Sequence, residues 1–227
     1  MKNKLLLILV LLSSTFCLAQ KNLKDYYYQI SDKIETKVYK YVDKNDSTNI
    51  EYWQVTTIPG TNEIKTISYD SEFNVYNTFD ETINENGAEL TGYSDFEEYE
   101  KGKRTEIKAT VVDKDVFKWT DNDVYTYSVK YFNKYGRFEF KKKRINVGFE
   151  KIEVNGKEYF AAKFRDDYLI HAIDYKVEQR FYQDAYYVKN IGMIKYIRKI
   201  PIQHETIELE LSQILTEKEF ENLKASR

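Results

Sequence analysis

Run after run of this chain alternates apolar and polar residues with a period of two, the pattern of β-strands that bury one face. Tyr125, Tyr127, Val129 and Tyr131 alternate with Thr126, Ser128 and Lys130. Ile107, Ala109 and Val111 alternate with Glu106, Lys108 and Thr110. The same phase recurs at Phe138 and Phe140, at Ile173, Tyr175, Val177 and Phe181, and at Ile207, Leu209 and Leu211. A helix would scatter these charges and apolar groups around all its sides.

Short turn signals separate the runs. Asp43–Asp46, Pro59–Asn62, Asn84–Gly87 and Asp121–Asp123 are rich in residues that tolerate positive φ or bond their own backbone. Asn155-Gly156, set between Ile152–Val154 and Tyr159–Phe164, has the layout of a two-residue hairpin. Phe149 and Ile152 fall on opposite phases, which places a bulge or bend between Gly148 and Lys151. Asp166 to His171 is ambiguous between strand and short turn. Connections this short join antiparallel neighbours, because parallel pairs need long crossovers. The expected fold is mainly β: a single strongly curved antiparallel meander of about ten to thirteen strands, or a partial barrel, since open twisted sheets rarely exceed about ten strands.

Helical signals are confined to the ends. Thr216-Glu217-Lys218-Glu219 reads as a capping box, and Leu215 with Phe220 as its hydrophobic staple. A short C-terminal helix is expected from about Glu217 to Lys224. Near the start, the spacing of Leu23, Tyr27, Ile30 and Ile34 fits an amphipathic helix, with strand or coil as the alternatives.

The first residues read as an address. Lys2 and Lys4 precede the apolar run Leu5–Leu12, and Cys17-Leu18-Ala19 supplies small residues before Gln20. This is the layout of a secretory signal peptide over 1–19, with one β-rich domain over 20–227. The apolar run is shorter than the roughly 20 residues of a membrane span, so no transmembrane span is expected after cleavage. Lipidation at Cys17 is a minor alternative, because the bulky Phe16 stands where a lipoprotein site has a small residue. Export to the periplasm or beyond, with possible outer-membrane association, follows from this reading.

Removing the leader takes Lys plus Arg from 35 to 33 against 37 Asp plus Glu, a net charge of about −4. That balance argues against a nucleic-acid partner, which needs a concentrated basic face. The single cysteine leaves with the leader, and with it any disulfide or thiolate chemistry. His171 and His204 have no metal-ligand spacing, and no nucleophile elbow or phosphate loop occurs. No catalytic residue, metal site or cofactor is therefore assigned. The acid clusters Asp95/Glu97/Glu98 and Asp166/Asp167 read as solvated turn residues. The basic run Lys141–Arg144 reads as a charged edge or strand end, although it continues the Phe138/Phe140 alternation, so only part of it faces one way.

The aromatic residues, 21 Tyr and 13 Phe among them, carry the functional lead. Trp53, Trp119, Tyr125, Tyr127 and Tyr131 are the candidate ligand-binding residues on one face of the sheet. The same rings would also serve as filler for a core poor in leucine.

Val154-Asn155-Gly156-Lys157-Glu158-Tyr159, followed by Tyr186-Tyr187-Val188-Lys189-Asn190-Ile191-Gly192-Met193-Ile194-Lys195, resembles a pattern in exported β-rich Bacteroidetes proteins of largely unknown function. Their motif runs Tyr-Tyr/Phe-Ala-x-Gly-Ile/Val-Gly-x-Val-Lys. Here Asn190 stands at the first glycine and Gly192 matches the second, and the likeness covers about forty residues. The leader ending in Ala19-Gln20 is similar in style. The resemblance implies a curved antiparallel sheet like the half-barrels of periplasmic lipoprotein carriers, which hold acyl chains on the concave face. The expected function is thus a non-catalytic envelope protein that binds an apolar or amphipathic ligand, such as a lipid, or a protein partner. A carboxylate-based hydrolase acting on carbohydrate is the alternative, and it requires two acids facing one groove.

Overall fold

The computed structural model describes residues 22–100, 102–120 and 124–226. The leader over 1–19, Cys17 within it, and the turn Asp121–Asp123 lie outside the described residues. Thirteen antiparallel strands follow one another in chain order. They are β1 (Glu35–Asp43), β2 (Ile50–Ile58), β3 (Glu63–Tyr69), β4 (Val75–Ile83), β5 (Gly87–Glu100), β6 (Lys103–Lys108) and β7 (Thr110–Lys118). The second half holds β8 (Val124–Asn133), β9 (Gly136–Val154), β10 (Lys157–Ala172), β11 (Val177–Val188), β12 (Gly192–Ile200) and β13 (Glu205–Thr216).

The sheet closes completely, which goes beyond a partial barrel. β1 pairs with β2 on one side and with β13 on the other, from Lys37 opposite Thr216 to Asp43 opposite Leu209. β6 and β7 act as one bent stave against β5. They are broken only at Ala109, whose N–H donates to the Tyr93 carbonyl at 3.0 Å. The result is a meander barrel of twelve staves. Closure satisfies the strand edges that an open sheet would leave exposed to other chains.

Local chemistry explains the turns. Asn155 (φ 51°) and Gly156 (φ 75°) form the expected tight hairpin between β9 and β10. The expected bulge is also present: the register shifts where Lys163 faces Gly148 and Phe164 faces Asn146. One expected strand run is interrupted. Ile173, Tyr175 and Val177 do not share a strand, because the chain turns over residues 173–176 and leaves Tyr175 exposed. Asp174 anchors that turn through the backbone and guanidinium of Arg137, and Lys176 takes φ 55° without a glycine to announce it. The ambiguous Asp166–His171 stretch is continuous strand within β10.

The N-terminal segment is neither a long helix nor a strand. Leu23–Tyr26 make a single 3-10 turn, and the chain then runs extended across one end of the barrel. Leu23 N–H donates to the Trp119 carbonyl, and Asp25 carbonyl accepts from Asn190 N–H at 2.7 Å. Leu23 and Tyr27 are buried, while Ile34 lies outside and exposed. Gly192, at φ 95°, is required here: a Cβ would sit 2.6 Å from the Tyr28 ring. This segment plugs the end at which β12 begins. Beyond the bulge, the β9–β10 hairpin reaches over β11 and β12, where Asn155 Nδ2 donates to the Leu211 carbonyl and Val154, Ala161, Tyr186 and Ile194 are buried together.

The C-terminal helix α1 spans Glu217–Ala225 and starts on the expected capping box, with Thr216 Oγ1 accepting from Glu219 N–H and Glu219 bonding back to Thr216 N–H. It packs Phe220 against Val38, Tyr52, Tyr69 and Leu215 on the outside of the barrel. Among the described residues, no helix is long and apolar enough to cross a membrane. Phe220 is fully buried and touches three aromatic rings, so Phe220→Ala is expected to cost about 3–5 kcal/mol in denaturant unfolding. The barrel's own backbone pairing should survive in that variant, read as an unchanged far-ultraviolet dichroism spectrum.

Candidate functional site

Inward-facing residues fill the plugged end of the barrel and leave space beyond it. Phe117, Phe164 and Tyr187 meet at ring separations of 4.9 to 5.4 Å, and Tyr27 enters from the plug to lie 4.7 Å from Phe117. On this aromatic floor stands Arg144, whose guanidinium lies 5.2 Å from the Phe164 and Tyr187 rings. Arg144 Nε and Nη2 donate to the two carboxylate oxygens of Asp166 at 2.6 and 2.7 Å, and Nη1 donates to Tyr187 Oη at 3.1 Å. Lys142 Nζ sits 3.0 Å from Asp166 Oδ2. A second carboxylate, Glu81 of β4, accepts from Tyr27 Oη at 2.6 Å.

These groups are buried, so their charges are set by one another. Burial pushes the Asp166 carboxyl up, but Arg144 and Lys142 outweigh it and hold Asp166 below the usual carboxylate range. Burial pulls the Lys142 ammonium down, Arg144 adds to this, and Asp166 restores only part, leaving it at about 8. Burial raises Glu81 to about 7, and the Tyr27 hydrogen bond, Lys142 and Arg144 hold it from going higher. Arg144 keeps its proton, because Asp166 and Tyr187 more than offset its burial.

Above this network lies a cavity of about 250 Å³. Its walls include Trp53, Phe79, Tyr93, Tyr127 and Phe140, with Lys142, Arg144 and Glu81 toward the floor. Arg198 of β12 and Gln183 of β11 line it two residues nearer the unplugged end than the Ala185–Tyr196 pair. Burial opposes the Arg198 charge, but Tyr196 and Glu51 outweigh it and raise its pKa. Glu81 is the one carboxylate among the described residues lining the cavity. No cluster of three or more His, Cys, Asp or Glu is arranged to hold a metal among the described residues.

The five aromatic candidates divide. Trp53 and Tyr127 line the cavity. Trp119 packs on Tyr27 and Phe117 at the plugged end, with Nε1 donating to the Asn84 carbonyl. Tyr125 is buried beside Phe117, and Tyr131 stacks on Phe138 at 5.5 Å toward the other rim. Two sequence expectations are corrected. Neither acid cluster is a turn: Asp95, Glu97 and Glu98 lie in β5 and Asp166 and Asp167 in β10, which carries Asp166 inward in phase with Phe164 and Tyr168 and buries it fully. Lys141–Arg144 is not a charged edge: β9 lies between β8 and β10, and Lys142 and Arg144 point into the barrel. Their phase with Phe138 and Phe140 carried that signal in the sequence, as the phase of Glu81 with Phe79 and of Arg198 with Tyr196 did for those residues.

The folded chain holds the Glu81 proton up to about pH 7, whereas an ordinary glutamate releases it near 4.5. The folded state therefore binds more protons between those values, and stability falls as pH rises through that window. Glu81→Gln keeps the acceptor for Tyr27 and removes the titration. It is expected to gain up to about 3 kcal/mol over the native chain at about pH 8 and almost nothing at about pH 4, measured by urea unfolding.

No family model matches the chain, and no curated protein does. Solved structures do. A Bacteroides fragilis protein described as exported, with a YmcC-like fold, is 12% identical at a TM-score of 0.51, over 84% of this chain and 99% of that one. A Parabacteroides distasonis protein described as a lipoprotein is 15% identical at a TM-score of 0.48, over 84% of this chain and 98% of that one. The chain thus has the YmcC-like fold found among exported β-rich Bacteroidetes proteins, the group its hairpin and Gly192 motifs resemble.

Proposed function

We propose that the protein is an exported, non-catalytic envelope protein whose barrel holds the apolar part of a small amphipathic ligand, such as a lipid. The observation that carries this reading is the cavity beside Trp53 and Tyr127, walled by aromatic rings and edged by a few charged groups. That mixture of apolar wall and sparse polar anchors is the usual make-up of a ligand site. Its volume lies just below the range of about 300–1,000 Å³ for sites that enclose drug-sized molecules. It suits one acyl chain better than a lipid with several.

Removal of a leader at 1–19 and passage to the periplasm or cell surface belong to the same proposal, supported by the fold shared with exported proteins. A carboxylate hydrolase is the weaker reading. Both Asp166 oxygens are taken by Arg144 and Lys142, so that acid has no free position from which to attack or to activate water. Glu81 alone cannot supply the pair such chemistry needs.

The test is native mass spectrometry of the protein purified without detergent from the cells that make it, beside titration with a fluorescent naphthylamine probe. A retained lipid mass released by denaturation, or probe binding at one per chain, is expected. Ser68 also lines the cavity, and Ser68→Phe should weaken probe binding about tenfold or more by filling that space, at an overpacking cost of about 1–3 kcal/mol. A bare polypeptide mass together with no probe binding sinks the ligand reading and turns the search to a protein partner.

A further inference from the structure

Arg198 differs from the other two cations of the cavity. Arg144 and Lys142 are both spent on Asp166. Among the described residues Arg198 has no carboxylate within 4.0 Å and one side-chain hydrogen bond, from Nε to Gln183 Oε1 at 3.2 Å. Glu51, the acid that acts on it from farther off, is already committed: its Oε2 accepts from Trp53 Nε1 at 3.1 Å and from Tyr76 Oη at 2.8 Å. A guanidinium carries five donors in a planar fork matched to a two-oxygen acceptor, so the terminal nitrogens of Arg198 stand beside the cavity with that capacity unused.

The surroundings hold the fork between two rings and shield part of it from solvent. The guanidinium lies 5.1 Å from the Tyr196 ring and 5.7 Å from the Phe181 ring. Charged hydrogen bonds are strongest where water is scarce and the donor is held in place. β5 stands half-way round the barrel from β12. It and its neighbour β4 supply Tyr93 and Phe79, which meet edge to face at 5.1 Å and present an apolar wall.

We infer that the ligand is an anionic single-chain amphiphile whose carboxylate or phosphate head is received by the Arg198 guanidinium while its chain lies against Phe79, Tyr93 and Tyr127. The inference rests on the ligand-binding reading above and adds to it the sign of the head group and the residue that reads it.

Calorimetric titration with lauric acid, dodecyl phosphate and lauryl alcohol separates the possibilities. The three share a chain and differ in head group. The native protein is expected to bind one or both anions about tenfold or more tighter than the alcohol, and the tighter of the two names the head. Arg198→Gln should erase that preference by weakening the anions far more than the alcohol, and Arg198→Lys, which keeps charge without the fork, should restore part of it. Equal binding of all three ligands overturns this inference and leaves the ligand-binding reading standing, whereas binding of none sinks both. A preference that survives in a folded Arg198→Gln variant also overturns it, by placing the anion elsewhere. Should that variant not fold, carbon NMR of carboxyl-labelled lauric acid bound to the native protein decides: a carboxyl pKa held well below its free value supports the guanidinium contact, and an unchanged or raised one overturns it.

Discussion

A closed barrel of twelve staves encloses more space than strand side chains of ordinary size can fill, and most of what is unusual in this chain answers that constraint. About eight strands give an interior that side chains just fill, and about sixteen to eighteen leave an open channel. Twelve fall between. Rings are the means by which a strand reaches far inward, since each aromatic side chain buries about 150–250 Å². Tyr27, Tyr41, Phe117, Phe164, Tyr187 and Tyr196 are all buried in the interior. Even these do not suffice, and the chain adds the Leu23–Tyr28 segment as a plug at one end. The cavity is what remains at the other end when rings, plug and ion pair have taken their places.

The tyrosines also explain how charge survives inside. An isolated buried ion is costly, and a pair is tolerated only when its remaining hydrogen-bonding capacity is met. Asp166 meets this by accepting from two Arg144 nitrogens and facing Lys142, and Arg144 spends a third nitrogen on Tyr187. The rings beneath the guanidinium contribute as well, because their faces attract a cation most where water is absent. Removing one partner of such a pair typically costs about 3–5 kcal/mol, since the other charge is left stranded. The network therefore ties β9, β10 and β11 together from within, while the backbone ties them at the wall.

Much of the fold was legible because it depends on local rules. The Asn155-Gly156 hairpin, the bulge at Gly148 and the Thr216–Glu219 cap each follow from a few adjacent residues. Closure was not legible, because β1 and β13 meet only after the whole meander has turned, and no local feature of Glu35–Asp43 announces its partner. The turn at residues 173–176 was hidden for a related reason: it is held by Arg137 of another hairpin, not by a glycine of its own. The site was half legible. Trp53 and Tyr127 sit at the cavity, but Trp119, Tyr125 and Tyr131 share the inward face and differ only in depth. Period-two alternation gives the face of a residue and says nothing of its height in a barrel.

Position around the barrel is what separates structural from available charge here. Lys142, Arg144 and Arg198 all obey the same inward phase, and sequence treats them alike. The first two lie on β9, where Asp166 of the adjoining β10 is within reach, and both pair with it. Arg198 belongs to the same row of paired residues but stands two strands from Asp166, beside the neutral Gln183 of β11. Had that residue been an acid, as Asp166 is beside Arg144, the guanidinium would be satisfied by its neighbour and closed to anything else. A glutamine holds the Nε without cancelling the charge, so Arg198 lines the cavity without a carboxylate partner among the described residues.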